Sequence, residues 1–181
     1  MQLPFVNLFL ITSTLSCLAR TDTVTDAIQL QNLASSTADT IFASLNGTAY
    51  LNTSNLVLRV SAAVQGADSM MMANVSSPGI ANVSFNDAYF NYADAMLYLA
   101  NTVQRRGLLF HSELNLPVYQ ALQGLSSAVS AYGHDLTAQR LVQRNSTVRT
   151  LTIGSAIVRA QTAWSNNVNY PGKREIMNWS G

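Results

Sequence analysis

The chain holds two histidines, and each has an acid close by: Glu113 two residues after His111, and Asp135 directly after His134. Nucleophilic hydrolysis needs a Ser or Cys, a base and a group that orients the base. On a helix, neighbours point about 100° apart, so His134 and Asp135 diverge, and His111 and Glu113 diverge further. Both histidines therefore read as solvent-facing helix residues, and no G-x-S-x-G frames a serine. Asp87 and Asp94 are seven apart on one helical face, the one spacing that suggests paired carboxylates for acid/base work. Two turns of helix separate them, and the face they share is polar. H-E-x-x-H, E-x-x-H and C-x-x-C are absent, as are G-x-x-x-x-G-K and G-x-G-x-x-G. The expectation is a chain with no catalytic residue, no metal and no cofactor.

The residues with a more specific promise are apolar. Met70-Met71-Met72 is followed by an aromatic group, Tyr89, Phe90, Tyr92 and Tyr98. Methionine is flexible and polarizable and suits adaptable apolar surfaces. The plain reading is core packing. The sharper one is a pocket for an aliphatic chain, lined by Met70, Met71, Phe85, Tyr89, Tyr92, Met96 and Leu99, with a tyrosine hydroxyl on the polar head.

Those residues must be carried by helices. Apolar residues recur every three or four positions in five segments, and no segment alternates long enough for a sheet. The first has Val24, Ala27, Ile28, Ala34, Ala38, Ile41, Phe42 and Leu45, with Asn46-Gly47 as its stop. The second starts near Ser54 and carries Leu56, Val60, Ala63, Val64, Ala67, Met70 and Met71. A loop at Ser76-Ser77-Pro78-Gly79 follows. Ser84 and Asp87 form a near capping box for the third. Its stripe runs Phe85, Tyr89, Tyr92, Met96, Leu99, Val103, Gly107, Phe110, Leu114, with a bend expected at Gly107. Pro117 opens the fourth, which carries Val118, Ala121, Leu122, Leu125, Ala128, Val129, Tyr132 and Leu136 and extends as far as Val142. The fifth spans Thr147 to Asn166, with Val148, Leu151, Ser155, Val158 and Trp164 near one face. The fold class expected is all-α, an antiparallel helical bundle of about five helices. It occupies residues 20–166, and a C-terminal tail follows over 167–181.

Residues 3–19 are apolar and then small and polar, the form of a secretory signal peptide over residues 1–19, with Cys17 and Ala19 at the −3 and −1 positions. Asn7, Thr12, Ser13, Thr14 and Ser16 interrupt the run, which argues against an integral membrane span. Removal of the signal takes away the chain's one cysteine. Secretion gives meaning to six N-x-S/T sequons, at Asn46, Asn52, Asn74, Asn82, Asn145 and Asn178. Of two dibasic pairs, Arg105-Arg106 falls inside a helix, whereas Lys173-Arg174 lies in the tail and is open to a processing protease. Only 10% of residues are charged, with a net charge of +1, while Ser, Thr and Asn number 50. So neutral a chain lacks the electrostatic footprint for nucleic acid.

A signal peptide ahead of a disulfide-free, Ala/Ser/Thr-rich helical stretch, with TDAIQLQNLASSTADTIFASLNG at 25–47 and VYQALQGLSSAVSAYGHDL at 118–136, resembles the fungal hydrophobic surface-binding protein and cell wall galactomannoprotein family. The likeness covers roughly residues 22–166; the aromatic-rich third helix and the six sequons depart from it. The resemblance implies a secreted or wall-associated helical bundle that holds a fatty acid in an apolar interior or adsorbs to a hydrophobic surface. Residues and resemblance together predict a non-enzymatic extracellular glycoprotein that binds a lipid-like ligand or surface. Cell-wall polysaccharide is a further expected partner. The alternative is a structural or effector-like interaction protein of the cell wall with no small-molecule pocket.

Overall fold

A computed structural model describes residues 23–45, 50–74, 83–109, 111–143 and 145–165. The expected signal peptide, the loop expected at Ser76-Ser77-Pro78-Gly79, the expected tail, Phe110 and the sequons at Asn46, Asn82 and Asn178 lie outside the described residues. Five helices account for nearly all of the rest: α1 (Thr23–Ala43), α2 (Thr53–Asn74), α3 (Val83–Leu108), α4 (Asn115–Ala138) and α5 (Ser146–Ala163). Among the described residues there is no strand, and no helix is long and apolar enough to cross a membrane. The all-α bundle expected from the periodicity is what forms.

Successive helices reverse direction, yet the largest contacts join helices two apart in the chain. Tyr98 donates to Asp39 and Arg106 to Ser44, so α3 runs parallel to α1. Asn86 meets Ser146, Tyr89 meets Thr150 and Trp164 meets Val103, so α5 runs parallel to α3. In the same way α4 lies parallel to α2. Helices α1, α3 and α5 form one layer and α2 and α4 the other, closed at the sides by α1 against α2 and α4 against α5. Two consecutive hairpins of similar length stack in register, which is why cross-helix partners fall 55 to 62 residues apart in the first layer.

The stripes of α3 and α4 are buried as their periodicity predicts, from Phe85 to Gly107 and from Val118 to Leu136. Several expectations change. First, α3 stops at Leu108 although its apolar spacing continues to Leu114, which is 78% exposed. Leu109 closes a tight turn onto Arg106, and the chain then crosses toward the start of α2. Gly107 does not bend the helix midway; a Cβ there would come within 2.6 Å of the Trp164 indole, so glycine lets Trp164 seat against the backbone.

Second, α4 ends at Ala138 and does not reach Val142. Arg140 adopts a left-handed φ of 57°, and the Arg140 and Leu141 amides donate back to Thr137 and Leu136. That is a Schellman stop with arginine where glycine is the usual residue. Third, the face of α5 is reversed: Val148, Leu151 and Val158 are exposed, and the core takes Ile153, Ala156, Ile157, Ala160 and Ala163. Helix α5 carries apolar residues on two sides, and periodicity alone cannot say which side packs. In α1, Ile28 and Phe42 are likewise exposed, and Leu30 is in the core. Ser84 does not stand ahead of the helix as a capping residue would, since α3 already begins at Val83.

Candidate functional site

At one end of the bundle the chain between α3 and α4 folds inward. Glu113 is buried, and its carboxylate pairs with the Arg106 guanidinium, itself buried. The Arg106 Nε–H donates to Glu113 Oε1 at 2.6 Å. The Thr53 amide donates to Oε2 at 2.8 Å and the Thr53 hydroxyl to Oε1 at 3.0 Å. Arg106 also donates through Nη1 to the Ser44 hydroxyl at 2.9 Å. A buried ion pair requires this number of partners, because desolvation otherwise outweighs the attraction. His111 stacks on the Trp164 ring at 4.2 Å between centroids, and the indole N–H donates to the Val103 carbonyl.

His111 and Glu113 therefore do not face solvent, and they are not on a helix. Glu113 bonds Arg106, seven residues upstream, and Thr53, sixty residues upstream. This clasp ties α1, α2 and α3 to the connecting segment. Every carboxylate oxygen of Glu113 is already engaged, so its chemistry is structural.

The clasp fixes what surrounds it. Leu108, Leu109, Leu114 and Leu116 all stand exposed on the segment that Glu113 and Arg106 hold, and Tyr50, just before Thr53, is exposed at the same end. Single exposed apolar residues are ordinary, whereas these four leucines are concentrated on one pinned segment.

The seven residues expected to line a pocket separate into two groups. Met71, Phe85, Tyr89, Tyr92, Met96 and Leu99 are buried together in the core, whereas Met70 is 52% exposed. Neighbours on a helix point about 100° apart, and here only Met71 of the two turns into the core. Tyr92 sits 5.8 Å from Tyr89 and makes an edge contact at 5.8 Å with Tyr132. Tyr89 shares a 2.5 Å hydrogen bond with Thr150, while the buried Tyr92 hydroxyl has no hydrogen-bond partner. Burial pushes the hydroxyls of Tyr89, Tyr92 and Tyr132 above the usual phenol range, and Asp26, Tyr89 and Asp68 push Tyr132 further.

Among the described residues, two clefts open to solvent stand out. One, of about 280 Å³, runs between α1 and α2 and has Asp26, Leu30, Ala67 and Met70 among its walls. The other, of about 360 Å³, lies between α4 and α5 and is lined by Gly133, Thr137, Thr150 and Leu151, among others.

The remaining polar candidates are accounted for at the surface. Asp94 pairs with Arg149 at 2.6 Å, and Asp87 is exposed. His134 Nδ1 lies 2.8 Å from Asp135 Oδ1, so these neighbours do meet, at an exposed position, because both side chains bend toward each other. Arg105 lies over the Phe42 ring at 5.6 Å, inside the helix as expected. Among the described residues no group of three or more His, Cys, Asp or Glu is placed to hold a metal ion.

Of the sequons, Asn52 and Asn145 are exposed, directly ahead of α2 and α5, and Asn74 is the last residue of α2. Asn52 caps α2: its Oδ1 accepts from the Asn55 amide at 3.1 Å and from the Ser54 hydroxyl at 3.0 Å. A glycan would attach at Nδ2 and leave that oxygen free to cap.

Sequence reasoning missed the clasp because Arg106, His111 and Glu113 read as helix surface. The available signal was the run of leucines around one acid and one histidine between Gly107 and Pro117, directly after Arg105-Arg106. Comparison with family models, with curated proteins and with solved structures finds no match.

Proposed function

We propose that this chain is a secreted, non-enzymatic glycoprotein that binds a hydrophobic surface or lipid-like ligand through the leucine-bearing end of its bundle. The observation that carries the reading is the group Leu108, Leu109, Leu114 and Leu116, exposed on a segment held by a buried ion pair. A leucine leaving water for an apolar phase contributes up to about 2 kcal/mol before ordering costs. Here the ordering cost is low, because the clasp has already fixed the segment. The resemblance to the hydrophobic surface-binding and cell wall galactomannoprotein family supports the same reading, and so does the sequon-rich, charge-poor surface. The contact differs from the one suggested by sequence, since six of the seven residues assigned to an interior pocket pack against the core.

The second reading, an extracellular interaction protein without a small-molecule ligand, draws on the outward stripe of α5. Val148, Leu151 and Val158 are each more than half exposed there. Adsorption measured on a methyl-terminated quartz sensor separates the two. The first reading expects wild-type protein to adsorb strongly, and Leu109→Ser/Leu114→Ser/Leu116→Ser to lose most of that adsorption while keeping its helical content. Equal adsorption by both proteins rejects the leucine end as the contact, and Val148→Ser/Leu151→Ser/Val158→Ser then tests α5.

A further inference from the structure

The cleft between α1 and α2 has a chemistry that the leucine end lacks. Leu30 and Leu33 on α1 and Ala63, Ala67 and Met70 on α2 give it apolar walls. From Ala63 to Met70 it follows α2 for about 10 Å at 1.5 Å per residue. Its one ionisable wall residue is Asp26, which is only 8% exposed, and no basic residue lines it. A carboxylate so far removed from water, beside an apolar trough, lacks a countercharge from the walls and gains from a cation placed there.

A second carboxylate strengthens that preference from behind. Asp68, on α2 next to Ala67, has a buried Oδ1 with no hydrogen-bond partner. The charges of Asp26 and Asp68 both push the Tyr132 hydroxyl pKa upward, so both carboxylates lie in its neighbourhood. The negative potential is therefore concentrated at the end of the cleft nearest Met70, where α1 begins and α2 finishes. The middle of the cleft is open: a Cβ built on Gly66 meets nothing within 4 Å. An occupant thus needs an apolar body about as long as the trough and a positive head at one end.

We infer that the α1/α2 cleft is a binding site for a small amphiphilic cation, a primary alkylammonium whose chain lies along Leu30, Leu33, Ala67 and Met70 and whose ammonium group meets Asp26. The site is independent of the leucine end, which carries no charge complementarity of its own and selects only for apolarity. An ammonium donates three hydrogens, enough to engage a largely buried carboxylate while keeping a contact to water through a cleft that is open to solvent. A fatty carboxylate of the same length would meet like charge there.

Calorimetric titration of the full chain at neutral pH with octylammonium, octanoate and octanol tests this. Octylammonium is expected to bind at one site, at least tenfold more tightly than octanoate or octanol. Asp26→Asn reduces its affinity to that of octanol, and Gly66→Leu lowers it at least tenfold by filling the trough. Should Asp26→Asn fail to fold, Gly66→Leu and the three-ligand comparison decide, because the leucine enters open space. Absence of saturable octylammonium binding overturns the inference. So does octanoate binding equally well, or full affinity in folded Gly66→Leu.

Discussion

Each end of the bundle has an inter-helix connection held by one buried side chain, but the two are built from opposite materials. At the leucine end Glu113 pins the α3–α4 connection through a charged clasp with Arg106 and Thr53. At the other end Asn86, a neutral amide at the start of α3, accepts from the Gln143 amide at 3.2 Å and the Ser146 hydroxyl at 3.1 Å, and so pins the α4–α5 connection. The outsides are opposite as well. Leucines stand out over the charged clasp, whereas Gln143 and Asn145 stand out over the neutral one. A segment that exposes leucine would gain by collapsing inward, and only a strong internal anchor prevents it. The polar segment has no such tendency and is held by ordinary hydrogen bonds.

Removing each anchor measures this difference. Glu113→Ala strands a buried guanidinium and is expected to cost about 3–5 kcal/mol. Asn86→Ala leaves a neutral amide and a hydroxyl short of a partner, at about 1–3 kcal/mol. Chemical denaturation of both variants checks the order; an Asn86→Ala loss equal to or larger than that of Glu113→Ala contradicts it.

The tyrosines between the two ends give a smaller effect with a change of sign. Tyr89→Phe gives up the bond to Thr150 and loses about 1 kcal/mol, whereas Tyr92→Phe removes an unpartnered buried hydroxyl and is neutral or stabilising. Raised hydroxyl pKa values mean that the neutral form is the one the fold accommodates. The stability that Tyr89, Tyr92 and Tyr132 contribute is intact below about pH 10 and falls as the pH rises toward their folded values. Thermal melting across that range reads both effects, and an alkaline limb that is unchanged in Tyr92→Phe counts against the hydroxyl assignment.

The smallest change expected is at the polar end. Arg140 holds a left-handed φ that glycine adopts without strain, so Arg140→Gly should raise stability by up to about 1 kcal/mol. A loss on melting would mean that the arginine side chain contributes more than its backbone costs.

What was legible in the sequence follows from the same physics. The stripes of α3 and α4 could be read because each has one apolar side and the other is polar, so period and burial coincide. Helix α5 could not be oriented, since Val148, Leu151 and Val158 compete with Ile153, Ala156 and Ile157 for the same core. The end of α3 was hidden because Leu114 keeps helical spacing with Leu99 and Val103, while the ion pair that breaks the helix depends on Thr53, sixty residues away. The candidate site was obscured in a related way. Apolar residues were assigned to the interior by type, yet those on the clasped segment are held outside by two charges that read as surface.

The most direct test of the leucine end as the contact is covalent photolabelling with a water-borne diazirine, comparing free protein with protein adsorbed on alkyl-coated beads. Protection on adsorption is expected at Tyr50 and at Leu108, Leu109, Leu114 and Leu116, while residues 139–146 label as in solution. Protection concentrated at 139–146, or spread evenly over both ends, would contradict the account.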